Sequence, residues 1–284
     1  MIRGAPRGRD HVIAAYPLLM LAVFFLVPFG IMVAVSVFHR VQGGFYEPGF
    51  EFTSYARFFT PFFGRVLAFS ILAAGVTALL CVSLGFPFTY FLTRLVRARQ
   101  VPLLVFLLAV LSLSEVIVGF CWSILLSRTA GLSNLLVAAG LLDQPSAWTP
   151  GFGALLAGLC YLALPYAVLV LYPALSRLDP ALVEAARTLG ATPLKTFFTV
   201  VVPVLRPAIV AALVMVFVFS LGAYLLPQLL GKPQHWTLSV LITDQAIYQS
   251  NLPFAAAMAV FLLAVSLPLV GLTQWLGRKG RASA

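Results

Sequence analysis

The chain holds eight acidic residues and three histidines among 284, and any chemistry must be sought among them first. Glu115, in "LSLSEVIVGFCW", is the one acid inside a long apolar stretch. Burying an ionisable group at that depth is costly, which makes it a functional candidate. It could receive a passing cation, or it could bond to a neighbour and pack a helix. Asp244, in "LITDQAIYQS", stands at the edge of another apolar run, either at the mouth of a path or as a solvated loop charge. Trp122, Tyr161, Tyr166 and Tyr224 lie within apolar stretches. There they could line a path by stacking or cation–π contact, or serve as packing aromatics. His11, His39 and His235 are scattered, and Cys81, Cys121 and Cys160 have no close pair. No metal site, disulfide framework or catalytic constellation follows from that spacing. None of the three lysines, Lys195, Lys232 and Lys279, lies in a G-x-x-x-x-G-K-[ST] phosphate loop. The chain is therefore not expected to be an enzyme or to hydrolyse ATP itself.

The polar residues do gather in one place, "EAARTLGATPLKTFFTVVVP" from Glu184 to Pro203. Asp179-Pro180 is a helix start, with Asp as cap and Pro at the first helical position. Leu182, Ala185, Ala186 and Leu189 then recur with helical spacing and predict one apolar face. Glu184 and Arg187 lie three apart on the opposite side, placed to pair weakly. Gly190 falls where a helix ends in a left-handed residue. Thr192-Pro193 repeats the start signal, and Pro203 is expected to limit the second helix. The segment 179–203 thus reads as two short helices hinged at Gly190, with the small Ala185 and Ala186 allowing close approach by another surface.

Composition sets the frame that holds this loop. The chain is 62% hydrophobic and 9% charged, whereas a soluble domain runs nearer 45–50% and 25%. A helix needs about 20 apolar residues to cross the hydrocarbon core. Six stretches qualify, near 12–38, 66–93, 101–127, 152–175, 206–230 and 253–276. The expectation is an all-α membrane protein with one transmembrane domain over 1–284. Pro28, Pro87, Pro165, Pro227 and Pro268 fall within these stretches, so kinks are expected. The basic start "MIRGAPRGRD" precedes an apolar run too long for a cleaved signal, and reads as a retained anchor.

Thirteen of the eighteen Lys and Arg residues lie on one side: Arg3, Arg7, Arg9, Arg94, Arg97, Arg99, Arg177, Arg187, Lys195, Arg206, Arg278, Lys279 and Arg281. By the positive-inside rule that side is cytoplasmic, with both termini and the Glu184–Pro203 loop. The net charge of +10 then reflects topology, and no nucleic-acid partner is needed to explain it. The outward loops 39–65, 128–151 and 231–252 carry Phe45, Tyr46, Phe50, Phe52, Trp148 and Trp236, as interfacial aromatic belts or as a docking surface.

Glu184-Ala185-Ala186, Gly190, Val200, Val202 and Pro203 resemble the "EAA" loop of binding-protein-dependent ABC importer permeases. That family usually has Ile and Leu where this chain has the two valines. "LLCVSLGFPFTYFLTR", "LSLSEVIVGFCWSILLSRTAGLSNLL", "LALPYAVLVLYPALSRLDPALVEAARTLGA" and "LGAYLLPQLLG" look like the spermidine/putrescine-type branch. The resemblance implies a type I importer permease in a bacterial inner membrane. Its partners would be a second permease, an ABC ATPase dimer gripping the EAA loops at Glu184, Ala185, Ala186, Arg187, Gly190 and Pro203, and an extracytoplasmic solute-binding protein. No cofactor would sit on this chain, since ATP and Mg²⁺ belong to the ATPase. The implied cargo is first a polyamine, with ferric iron, phosphonate, thiamine or an opine-like solute as alternatives. An ion-coupled secondary transporter using Glu115 is the rival from another class, and it leaves the EAA spacing unexplained.

Overall fold

The computed structural model describes residues 16–41, 44, 46–129 and 131–279, without the side chains of 269 and 272–279. Arg3, Arg7, Arg9, His11, Phe45 and Arg281, the start of the 12–38 stretch and both chain ends lie outside the described residues, as do the side chains of Arg278 and Lys279.

Apolar composition and the near absence of charge make helix the natural solution, because a helix satisfies its own backbone without water. In chain order the helices are α1 (Tyr16–Val35), α2 (Thr53–Ala56), α3 (Pro61–Leu92), α4 (Arg97–Leu111), α5 (Glu115–Leu125), α6 (Leu132–Ala138), α7 (Phe152–Ser176) and α8 (Pro180–Thr188). They continue as α9 (Pro193–Val204), α10 (Arg206–Gly222), α11 (Leu225–Leu230), α12 (Leu238–Thr243) and α13 (Leu252–Lys279). The described residues contain no β-strand beyond a single antiparallel bridge between His39 and Glu47.

Among the described residues, α1, α3 and α7 are long and apolar enough to cross a membrane alone. Two further candidates are bent pairs: α4 and α5 meet at 95°, and α9 and α10 at 74°. The expected stretch 101–127 is therefore not one rod but two helices broken at residues 112–114. The expected 206–230 is likewise divided, because Ala223 is extended between α10 and α11. Neither of these breaks falls on a proline. Pro87 and Pro165 sit inside helices that run through them, whereas Ser112 turns its hydroxyl back onto the Leu108 carbonyl at 3.0 Å where α4 ends. The last expected stretch, 253–276, lies within α13, whose apolar part runs from Leu252 to Pro268.

Contacts divide the chain into two units, one of residues up to 63 with 241–264, the other of 64–240 with 265 onward. In the first, Phe58 gathers Phe63, Phe254 and Phe261 at ring separations of 5.0, 6.1 and 4.6 Å. Arg57 lies over the Phe254 ring, and Arg40 donates to the Gln249 carbonyl at 2.9 Å. His39 Nδ1 meets a Glu51 carboxylate oxygen at 2.6 Å, and Thr53 donates to the other oxygen. Those two hydrogen bonds hold the Glu51 carboxyl below the usual carboxylate range.

The second unit is organised around α7, which packs along α10. Ala163, Ala167 and Ala212 on this seam are fully buried, so small side chains let the two backbones approach. One core joins Cys81, Val82 and Phe86 of α3 to Leu171 and Leu175 of α7 and Val216 of α10. A second joins Val118 of α5, Leu155 and Leu159 of α7, and Leu226 and Leu230 of α11. Gly158 gives room here, since a Cβ at that position would come within 2.6 Å of the end of the Leu230 side chain and make it shift.

Candidate functional site

The polar segment 179–203 folds as its sequence directs. Asp179 is the N-cap of α8, its Oδ1 accepting the Ala181 N–H at 2.9 Å. Thr192 caps α9, accepting the Lys195 N–H at 3.3 Å. Between them Gly190 has φ +87°, a conformation that side chains disfavour. The Ala191 N–H reaches the Ala186 carbonyl at 3.1 Å and the Gly190 N–H reaches that of Arg187 at 3.0 Å. This paired closure terminates α8 and leaves no freedom in where the chain re-enters α9.

Burial orients this helix. The spacing predicted one apolar face of Leu182, Ala185, Ala186 and Leu189, with the two alanines open to another surface. Val183 is the buried residue of α8, at 5% exposure, while Leu182 is 45% and Leu189 89% exposed. Val183 packs into the same core as Val201, Leu205, Leu175 and Phe86. The predicted stripe therefore faces away from the chain's own core. Glu184 and Ala185 are exposed and Ala186 half-buried beside it. The expected Glu184–Arg187 ion pair is not formed; among the described residues the ion pair is His39–Glu51. Pro203 does not end α9 either, because the helix runs on to Val204 and turns at Leu205. A π-helical turn at Phe197–Val201 lies within it, with no marker that spacing alone would give.

The other candidates separate into groups. Glu115 opens α5, its carboxyl lying against the backbone of Leu226. Its Oε1 is buried without a hydrogen-bond partner. Trp122 and Tyr161 pack edge to face at 5.9 Å and line a cavity of about 320 Å³ with Leu113, Ile117 and Cys121. Glu115 is not on that lining. Tyr166 packs on Phe219 at 4.7 Å, joining α7 to α10 as a packing aromatic. Tyr224 is exposed at the α10–α11 break. Asp244 belongs to the first unit and begins the π-helical turn Asp244–Tyr248. Within the second unit the structure brings Trp122 and Tyr161 together, and Glu115, Tyr166 and Tyr224 stand outside the lining that those two share. Among the described residues no cluster of three or more His, Cys, Asp or Glu is placed to hold a metal.

Sequence reasoning passed over His235. Its ring stacks on Phe69 at 5.5 Å and lies beside Phe152, and its Nδ1 accepts the Lys232 N–H at 3.2 Å. Burial, and secondarily the Lys232 charge, lower its pKa. A nitrogen that accepts a hydrogen bond must be unprotonated, in agreement with that direction.

Residues 11–281 match the family described as binding-protein-dependent transport system inner membrane component. The spermidine/putrescine transport system permease protein PotB of Salmonella typhimurium (strain SL1344) is 32% identical over 258 residues, covering 90% of this chain and 88% of that protein. Among solved structures, a bacterial ABC transporter involved in import of the acidic polysaccharide alginate superposes with TM-score 0.77 at 18% identity. That match covers 96% of each chain. The bacterial alginate transporter in complex with an alginate pentasaccharide-bound periplasmic protein superposes at 0.73, with the same identity and coverage.

Proposed function

Because the chain belongs to the family of binding-protein-dependent transport system inner membrane components, we propose that it conducts a polyamine, spermidine or putrescine, driven by ATPase subunits that grip α8 and α9. It is the permease component of an importer, a multi-pass inner-membrane protein and a transport component rather than an enzyme. The polyamine assignment rests on one observation, the 32% identity to a spermidine/putrescine permease over 90% of this chain. In the working importer the whole chain acts as one permease domain of six crossings, with both termini and the 179–203 loop in the cytoplasm. It pairs with a second, related permease and receives cargo from an extracytoplasmic binding protein. ATP and Mg²⁺ sit on the ATPase chains.

The exposed stripe of Leu182 and Leu189, with Ala185 beside it, supports docking of a partner surface, since an apolar stripe facing away from its own core gains by being covered. Glu184 and Arg187, in no ion pair among the described residues, are available to that partner. Gly190 and the cap at Thr192 fix the angle at which the knob is presented. Closure of the ATPases would move α8, and Val183, Val201 and Leu205 carry that motion into α7 and α10 because all lie in one core. Glu115, Trp122, Tyr161, Tyr166, Tyr224 and Asp244 are the residues we assign to the substrate path. Glu115 leads, because an unsatisfied carboxylate oxygen is costly until something pairs with it.

The test is ATP hydrolysis by the complete importer in nanodiscs, with spermidine, putrescine, ferric iron or a phosphonate supplied with the binding protein. Stimulation by a polyamine alone supports the assignment. Stimulation only by another solute overturns the cargo, and transport on a proton gradient without an ATPase overturns the mechanism.

A further inference from the structure

A cavity of about 430 Å³ opens between the end of α3 and the α8–α9 knob. Its walls are of two kinds. Pro87 and Phe91 of α3, with Phe197 and Phe198 of α9, make an apolar surface. Phe91 and Phe198 are largely exposed there. Arg94 and Arg187 line the same cavity, and neither is in an ion pair among the described residues. The Arg94 guanidinium lies 4.2 Å over the Tyr90 ring, a stacking that leaves its N–H edge free to bind an anion. Glu184 lines an adjoining cleft together with both arginines, so the local balance remains one positive charge in excess.

The decisive atom is Thr196 Oγ1. Thr196 is 1% exposed and lines the cavity, yet its hydroxyl has no hydrogen-bond partner. Native structures rarely leave such a group unsatisfied. A hydroxyl donor, two guanidiniums and an aromatic wall together match a phosphate bearing a hydrocarbon tail. A free inorganic anion would use the donors and leave the aromatic wall bare. The cavity also lies at the polar end of α3, an apolar helix of 32 residues, where a lipid headgroup would sit.

We propose that this cavity seats one anionic phospholipid, its phosphate held by Arg94, Arg187 and the Thr196 hydroxyl and its acyl chains lying along Phe91 and Phe198. The bound lipid ties the knob to the bilayer beside α3. The inference rests on the membrane-spanning reading of α3 and is independent of the cargo.

The complete importer, exchanged into nanodiscs of phosphatidylcholine with phosphatidylglycerol and then released into detergent, is examined by native mass spectrometry. The wild type should retain one phosphatidylglycerol per copy of this chain. Arg94→Gln and Thr196→Val should each lower that occupancy roughly tenfold, as expected when a hydrogen bond to a charged group is lost. Thr196→Ser should restore it, which separates a lost donor from a damaged fold. Millimolar inorganic phosphate should not displace the lipid. Equal retention in all variants overturns the proposal, as does displacement by phosphate, which would mark a simple anion site. Loss of the ATPase from the Arg94→Gln complex with lipid retention unchanged also overturns it, in favour of a protein contact. Retention is read whether or not spermidine stimulates hydrolysis, so either reading can fail while the other stands.

Discussion

At Gly190 a single backbone angle, φ +87°, sets the direction of everything that follows in the knob. A Cβ there would meet no atom within 4 Å, so a substitution acts through backbone strain, about 1–2 kcal/mol for an ordinary side chain. Gly190→Trp should abolish cargo-stimulated ATP hydrolysis while the complex still assembles. Gly190→Asn, whose side chain tolerates the left-handed region, should keep most of it; the pair is compared by hydrolysis assay in nanodiscs. Glu115→Gln removes the charge and keeps the shape, and should raise the KM for spermidine roughly tenfold, ~1.4 kcal/mol, in a counterflow or uptake assay. His235 gives a pH dependence of known sign. Its folded pKa is lowered from 6.5, so folding favours the neutral ring. The stability it contributes is fully present above about 6.5 and declines as the pH falls below that value. The protection factors of amides around residues 231–238, with the intrinsic pH dependence of exchange divided out, should fall between pH 7.5 and 5.5, about the reference value, and His235→Asn should flatten the change.

Helices carry the next level of organisation. The α7–α10 seam depends on Ala163, Ala167 and Ala212, all fully buried. Ala212→Phe should cost on the order of 1–3 kcal/mol by overpacking, seen as a lower unfolding temperature of the purified chain. Local signals were most legible at this scale. Asp179, Gly190 and Thr192 announced two capped helices, and the structure has them, because caps and left-handed glycines act within a few residues. Orientation was less legible: helical spacing grouped Leu182 with Leu189, but the face that turns inward was settled by contact with α3, α7 and α10, which lie far away in the sequence. The breaks in the spans were also hidden. Ala223 itself carries no turn chemistry, and the α11 that follows it packs against α5 and α7. The roles of the aromatic candidates were illegible for a related reason. Aromatic residue type says nothing about whether a ring faces a lumen or a neighbouring helix, and Tyr166 chose Phe219.

For the whole molecule, the six crossings proposed above fix which loops face which compartment. Single cysteines in a background lacking Cys81, Cys121 and Cys160 provide the check. Thr188→Cys should react with a membrane-impermeant maleimide from the cytoplasmic side, and Ser146→Cys from the outer side. The opposite pattern would reverse the topology and remove the knob from any ATPase. Composition made the membrane assignment legible at once, since 9% charged residues leave a soluble fold of this length without a surface.

Val183 of the knob shares one core with Phe86, Leu171, Leu205 and Val216. The coupling element is consequently not a portable module. Transplanting residues 179–203 alone between distant permeases would import a key cut for another lock, because its buried teeth fit residues from α3, α7 and α10. Exchanges between importers should succeed only when those contact positions travel with the loop, so the knob and the spans behind it form one unit of inheritance.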